Sequence, residues 1–160
     1  PAVLTGWLPQ TRLDARFAAA LHRLTSHGWD LLVVSAGCQW YIDAILAPWA
    51  DRLTIVANPG GVGPNGLWMG WPPTDVPWYS AHFGVDKARI VQLLADSGRT
   101  VAFAGDGRPD LAAIRHVPAE HRFAKSWLAE QLSAEGLTYR EFDAWSEITT
   151  MLTAETANRE

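Results

Sequence analysis

Four polar side chains are spaced along the chain as phosphate chemistry would need them. Ser35 follows the apolar run 31–34 (LLVV), Lys87 opens a helical stretch, and Asp106 and Asp110 follow the apolar run 100–104 (TVAFA). A hydroxyl and the backbone N–H groups after it can hold phosphate oxygens at a helix N-terminus. An ammonium can neutralise the charge those oxygens carry. Asp106 and Asp110 offer hard oxygen ligands for Mg²⁺, which is commonly held by one or two carboxylates with water and phosphate. Gly37 and Gly107, beside these groups, join the candidate ligand-binding set. Singly, each residue has a plainer role: a turn serine, a solvated lysine, an aspartate capping a helix.

The elements that must position them alternate between short apolar strands and amphipathic helices. Residues 2–7 (AVLTGW) read as a first strand. A helix is expected over 13–27, with Asp14 as N-cap, Phe17, Ala20, Leu21 and Leu24 on one face, and Gly28 as its stop. The run 31–34 has no polar alternation, which suits a strand buried on both faces of a parallel sheet. Gly37 then turns the chain into a helix over 41–46 that ends near Pro48. A strand is expected at 53–57. The stretch 58–84 is dense in Gly and Pro and carries Trp68, Trp71 and Trp78, which excludes a long helix and suits a flap, with 66–71 as half of a short hairpin. Helix at 86–95, strand at 100–104, helix from 111, strand at 122–124, helix at 126–134 closed by Gly136, and helix at 142–152 complete the pattern. Residues 1–152 make one domain and 153–160 a frayed tail. The β-α-β order predicts a three-layer, Rossmann-like α/β fold with a mainly parallel five-stranded sheet. In such sheets ligands bind beyond the carboxyl ends of the strands, where Ser35 and Asp106 fall.

Composition narrows the partners. The chain has 160 residues, 48% hydrophobic and 19% charged, enough for one core and too apolar for a disordered polyelectrolyte. Thirteen Lys and Arg against seventeen Asp and Glu give a net charge of −4, which argues against a nucleic-acid partner. No apolar run is long enough to span a bilayer, so no membrane partner is expected. No basic n-region precedes an apolar stretch at the start, and cytoplasmic residence is the expectation. The single cysteine, Cys38, excludes an internal disulfide and reads as a small packed residue. Nine Trp call for an explanation as core, pocket or interface.

Taken together, Val33-Val34-Ser35-Ala36-Gly37, Lys87 in Gly84-Val85-Asp86-Lys87, and Gly105-Asp106-Gly107-Arg108-Pro109-Asp110 resemble the second, third and fourth motifs of the haloacid dehalogenase-like hydrolase superfamily. Ser35-Ala36-Gly37 followed by Tyr41-Ile42, then Phe123-Ala124-Lys125 with Leu128, Gly136-Leu137-Thr138-Tyr139, Phe142 and Ile148, resemble its phosphoserine-phosphatase-like and methionine-salvage branch. The resemblance covers about residues 13–152 and implies a phosphatase core with Mg²⁺ as cofactor and no other.

One departure bears directly on the chemistry. The superfamily's nucleophile is the first Asp of a DxDGT-type motif on the first strand, and no DxD occurs here. Either residues 2–8 are that strand, with Thr5 and Trp7 standing where the carboxylates should be, or the strand and cap belong to a longer protein. The spacing from Thr5 to Ser35 leaves no room for a cap in the first case, so a core with little or no cap is expected. The second case leaves unpaired strand edges in the middle of the sheet, which tells against it. Three functions are compatible with this departure. A repurposed small-molecule enzyme or ligand-binding protein, with Thr5, Trp7, Trp40, Trp68 and Trp71 relining the pocket and Asp106, Asp110, Lys87 and Ser35 as its polar groups, is the leading one. With the two carboxylates lost, Asp106 is expected to pair with Lys87 instead, the mark of a pseudoenzyme, and Mg²⁺ to bind Asp106 and Asp110 weakly or not at all. The alternatives are a phosphomonoester phosphatase lacking its first motif, and a pseudoenzyme docking a protein or a second copy through exposed Trp68, Trp71 and Trp78. His22 with His27, and His116 with His121, are spaced five apart and make poor metal pairs; His82 is expected in solvent.

Overall fold

The computed structural model describes residues 13–157. The expected first strand, with Thr5 and Trp7, lies outside the described residues. In chain order the elements are α1 (Phe17–Ser26), β1 (Leu32–Cys38), α2 (Gln39–Leu46), β2 (Thr54–Asn58), β3 (Gly60–Gly63), β4 (Gly66–Met69), β5 (Tyr79–Ser80), β6 (Gly84–Val85), α3 (Lys87–Asp96), β7 (Phe103–Gly105), α4 (Leu111–Ile114), β8 (Arg122–Ala124), α5 (Ser126–Ala134), β9 (Arg140–Glu141) and α6 (Trp145–Ala157). The chain is α/β, with helices and parallel strands compatible with a Rossmann-like fold. No helix among the described residues is long and apolar enough to cross a membrane.

The parallel strands fall into two sheets. β1 pairs with β2, and β7 with β8 and β8 with β9, all parallel. The expected single five-stranded sheet is therefore divided among the described residues: β1 and β7 are each paired on one edge only. One helix spans the division. On α1, Phe17 and Leu21 join the core of Ile42, Leu46 and Ala57 against β1 and β2, while Leu24 joins Phe123, Phe142, Ile148 and Leu152. The i, i+3, i+4, i+7 spacing read from the sequence thus buries one face of α1 against both sheets. Burying a side chain such as Leu21 or Phe123 fully contributes about 1.5–3 kcal/mol.

The bounds of two helices differ from those expected. α1 starts at Phe17, and its N-cap is Arg16, not Asp14. The Asp14 carboxylate instead accepts from Arg16 N at 2.9 Å and from Ser146 N at 3.0 Å. It serves the first turn of α6, whose unpaired N–H groups favour an anion. α6 itself starts at Trp145, not 142, and runs on to Ala157, with Thr153 buried and its hydroxyl donating to Thr149 O. The segment expected to fray from 153 is therefore helical through 157.

The Gly- and Pro-rich stretch 58–84 contains no helix and holds two small antiparallel pairs. β3 and β4 form a hairpin that leaves the carboxyl end of β2, closed by Pro64 and Asn65. β5 and β6 form the second. The hairpin expected from 66 to 71 is present, with β4 as one strand.

The Asp14 contacts hold its carboxyl below its ordinary value, first through the Arg16 N–H and then through that of Ser146. A lowered folded value stabilises the fold above the unfolded value of about 3.9 and loses that contribution as pH falls through the lowered one. Asp14→Asn should melt below the native chain at neutral pH, with the gap closing in acid below about pH 4. Thermal denaturation across that range tests this; a pH-independent gap would rule the linkage out.

Candidate active site

The strand β1 runs past Val34 through Ser35, Ala36 and Gly37 to Cys38, so Ser35 lies within the strand and Cys38 ends it instead of opening the helix. Its ladder with β2 breaks there. Val34 faces Val56 and Cys38 faces Asn58, leaving Ser35, Ala36 and Gly37 opposite Ala57 alone. Such a bulge re-aims side chains at the end of a strand. Ser35 Oγ accepts from Gly37 N at 3.0 Å, which leaves the hydroxyl proton free to donate elsewhere.

Asn58, at the end of β2, fixes the bulge. Its Nδ2 donates to Ala36 O at 2.8 Å and to Phe83 O at 2.9 Å, and the residue is fully buried. Its Oδ1 has no hydrogen-bond partner among the described residues and faces Gly84. Gly84 has φ +74°, and a Cβ there would collide with Asn58 Oδ1 and come within 2.6 Å of the Trp71 ring. Only glycine meets both demands. From sequence Asn58 falls at the start of the Gly- and Pro-rich stretch; the signal for its role is an amide at the carboxyl end of an otherwise apolar strand.

From Gly84 the chain passes through β6 to Asp86, whose carboxylate caps α3 by accepting from Arg89 N. Lys87 follows at the first turn. Its Nζ donates to Asp110 Oδ1 at 2.6 Å, with the two side chains 15% and 7% exposed. Asp110 Oδ2 accepts from Asp106 N and Gly107 N, both at 3.0 Å. The short 3₁₀ turn Arg108–Asp110 bends the chain so that this carboxylate closes back on the loop after β7. Gly105 permits the approach, since a Cβ there would lie 2.7 Å from Asp110 Cγ. A buried carboxylate is tolerable because three donors meet it.

The partner expected for Lys87 was Asp106; the structure gives it Asp110. Asp106 is exposed and contributes its backbone, its C=O accepting from Leu128 N at the start of α5. Both Asp110 oxygens are committed, so Asp110 does not stand free as a metal ligand. The described residues therefore offer one open carboxylate here, and no group of three or more His, Cys, Asp or Glu among them could hold a metal. Asp106 is thus the described carboxylate that would hold Mg²⁺, which commonly takes one or two carboxylates beside water and phosphate.

Seen whole, Ala36, Asn58, Phe83, Lys87, Asp110 and Gly107 form a relay joining the carboxyl ends of β1 and β2 to that of β7. It ties the bulge of β1 to the segment before Lys87, and Lys87 to Asp110. No family model matches the chain. Over 132 residues, 82% of its length, it is 24% identical to 2-hydroxy-3-keto-5-methylthiopentenyl-1-phosphate phosphatase of Exiguobacterium sibiricum. The likeness is to a phosphatase. It supports the haloacid dehalogenase-like resemblance of the motifs. The match covers 59% of that protein, so this chain spans less than two thirds of the relative's length.

Among the described residues the expected pocket aromatics are not deeply buried. Trp68 and Trp71 stand 55% and 52% exposed, and Trp40 and Trp78 are half-buried. His82 is exposed, as expected. A shallow hollow lined by Arg16, Ser146, Glu147, Thr150 and Met151 lies at α6 and holds none of the expected site residues.

Removing one member of the buried pair should cost far more than removing both. Asp110→Ala should lose about 3–5 kcal/mol of stability in urea unfolding, because Lys87 and two N–H groups lose their acceptor. Lys87→Met with Asp110→Leu should cost less than Asp110→Ala. Additive losses would show the two side chains to be uncoupled.

Proposed function

We propose that this chain carries the phosphate-handling part of a haloacid dehalogenase-type phosphomonoester phosphatase. On this reading β1–β2 and β7–β8–β9 are two flanks of one parallel sheet. Its central position takes a strand supplied from outside the described residues, and that strand brings the carboxylate nucleophile. The observation that supports the reading is the relay across the carboxyl ends of two sheets whose facing strands, β1 and β7, each have one edge unpaired among the described residues. The phosphatase relative supports the reaction class.

The chemistry assigned to each group follows from its free valences. Ser35 keeps an O–H to donate to a phosphate oxygen. Lys87 uses one of its three N–H donors on Asp110 and has two left for the phosphoryl group. Asp110 orients that ammonium and ties the Asp106-Gly107 loop in place. Asp106, open to solvent, is the carboxylate that could complete a cation site once the central strand adds its own. The strand's first carboxylate attacks phosphorus and the ester oxygen leaves as the alcohol, taking its proton from the strand's second carboxyl group; that group then takes a proton from the water that splits the acyl phosphate into phosphate and the free carboxylate. The substrate class is a phosphate monoester of a small molecule. The pocket reading that leads from sequence is weaker on this geometry, because Trp68 and Trp71 face solvent.

The test is complementation. The chain alone with Mg²⁺ should not hydrolyse p-nitrophenyl phosphate above background. A synthetic peptide with an apolar strand ending in Asp-x-Asp-Gly should slow amide exchange at β1 and β7 and restore turnover. Ser35→Ala should then lower kcat by about 100-fold, the scale of losing one transition-state donor. Peptide that fails to protect those edges, or that protects them without turnover, would overturn the proposal.

A further inference from the structure

The hairpin β3–β4 presents an edge that the described residues leave open. Leu67, Trp68 and Met69 are consecutive and 46%, 55% and 52% exposed. A strand normally hides one face, yet here side chains on both faces meet water. The ladder fixes which backbone groups point outward. Gly70 N donates to Pro59 O at 2.8 Å, so Pro59 and Gly70 are a bonded pair. Bonded and unbonded pairs alternate in an antiparallel ladder. Gly61 with Trp68 is therefore bonded, while Gly60 with Met69 and Val62 with Leu67 are not. The N–H and C=O groups of Leu67 and Met69 thus point away from β3.

Natural edge strands are usually guarded by a charge, a bulge or a proline within the strand. β4 has none of these. The whole stretch 57–74, ANPGGVGPNGLWMGWPPT, holds no Asp, Glu, Lys, Arg or His. The Trp68 indole lies against Gly61, its cross-strand partner, with Nε1 3.2 Å from where a Cβ would be. The ring is set by the hairpin before any partner arrives, so little side-chain freedom remains to be lost on association.

We propose that β4 pairs antiparallel with β4 of a second copy, about a twofold axis through Trp68. The register follows from the outward groups. Leu67 faces Met69 of the partner subunit in a bonded pair, and the two Trp68 residues meet at the axis as a close, non-bonded pair. A four-stranded sheet results, and both open edges are satisfied by one symmetric contact. A basic or acidic partner finds no counter-charge on this edge; an identical uncharged strand does fit. Neither the phosphatase reading nor the open edges of β1 and β7 enter this inference.

Sedimentation velocity on the whole chain, from low micromolar to submillimolar, should show a monomer–dimer equilibrium. The double variant Leu67→Lys with Met69→Lys sets ammonium groups opposite each other across the axis and leaves Trp68 on Gly61. It should weaken association at least about 100-fold with an unchanged far-UV spectrum. In the native chain, amide exchange at Leu67 and Met69 should slow as concentration rises, while that of Trp68, bonded within the hairpin, should not change. A chain monomeric throughout, a dimer that survives the double variant, or concentration-independent exchange at Leu67 and Met69 would overturn the proposal.

Discussion

The contact between Lys87 and Asp110 is the constraint on which the described architecture turns. Two opposite charges are largely withdrawn from water, and the arrangement holds because every Asp110 oxygen meets a donor. The helix α3, the loop after β7 and the 3₁₀ turn beyond it are fastened at one point. Gly105 and the pair are mutually dependent, since any side chain at 105 would displace the carboxylate. Such a pair contributes less to net stability than to uniqueness of arrangement: an apolar substitute could match its energy without aiming an ammonium.

Asn58 performs the matching role with a neutral side chain. A single amide holds the bulge of β1 and the carbonyl before Gly84, so the strand end that carries Ser35 and the segment that leads to Lys87 are tied together. Beneath them α1 packs Phe17 and Leu21 on one sheet and Leu24 on the other. Apolar packing below and polar fastening above hold two sheets together that share no strand pairing among the described residues.

Local signals served the sequence reading well wherever the partner was local. β8 at Arg122–Ala124 and α5 at Ser126–Ala134 fall where periodicity placed them, and the buried face of α1 follows its apolar spacing. The misplacements share one cause, a partner distant in sequence. Asp14 looked like a cap for the helix beside it and instead serves α6, 132 positions away. Asn58 looked like loop and is fixed by Ala36 and Phe83. The expectation for Lys87 is Asp106, a carboxylate left without a metal when the first motif is lost, whereas the turn at Arg108–Asp110 carries Asp110 back to it instead. The bulge at Ser35 leaves no trace in hydropathy, because Ala36 and Gly37 suit a strand and a turn alike. Thr5 and Trp7, expected from sequence at the centre of the site, lie outside the described residues.

The crowding at Gly84 has an optical consequence. The six-membered ring of the Trp71 indole rests against that glycine, next to the buried amide of Asn58, with its other side in water. Indole emission follows the polarity around the ring. A shift of the Ser35 loop is passed by Asn58 to Phe83 and Gly84, and so to the surface on which this ring lies. Trp71 is thus placed to report on the polar relay, and its emission can be read alone once the other eight tryptophans are replaced.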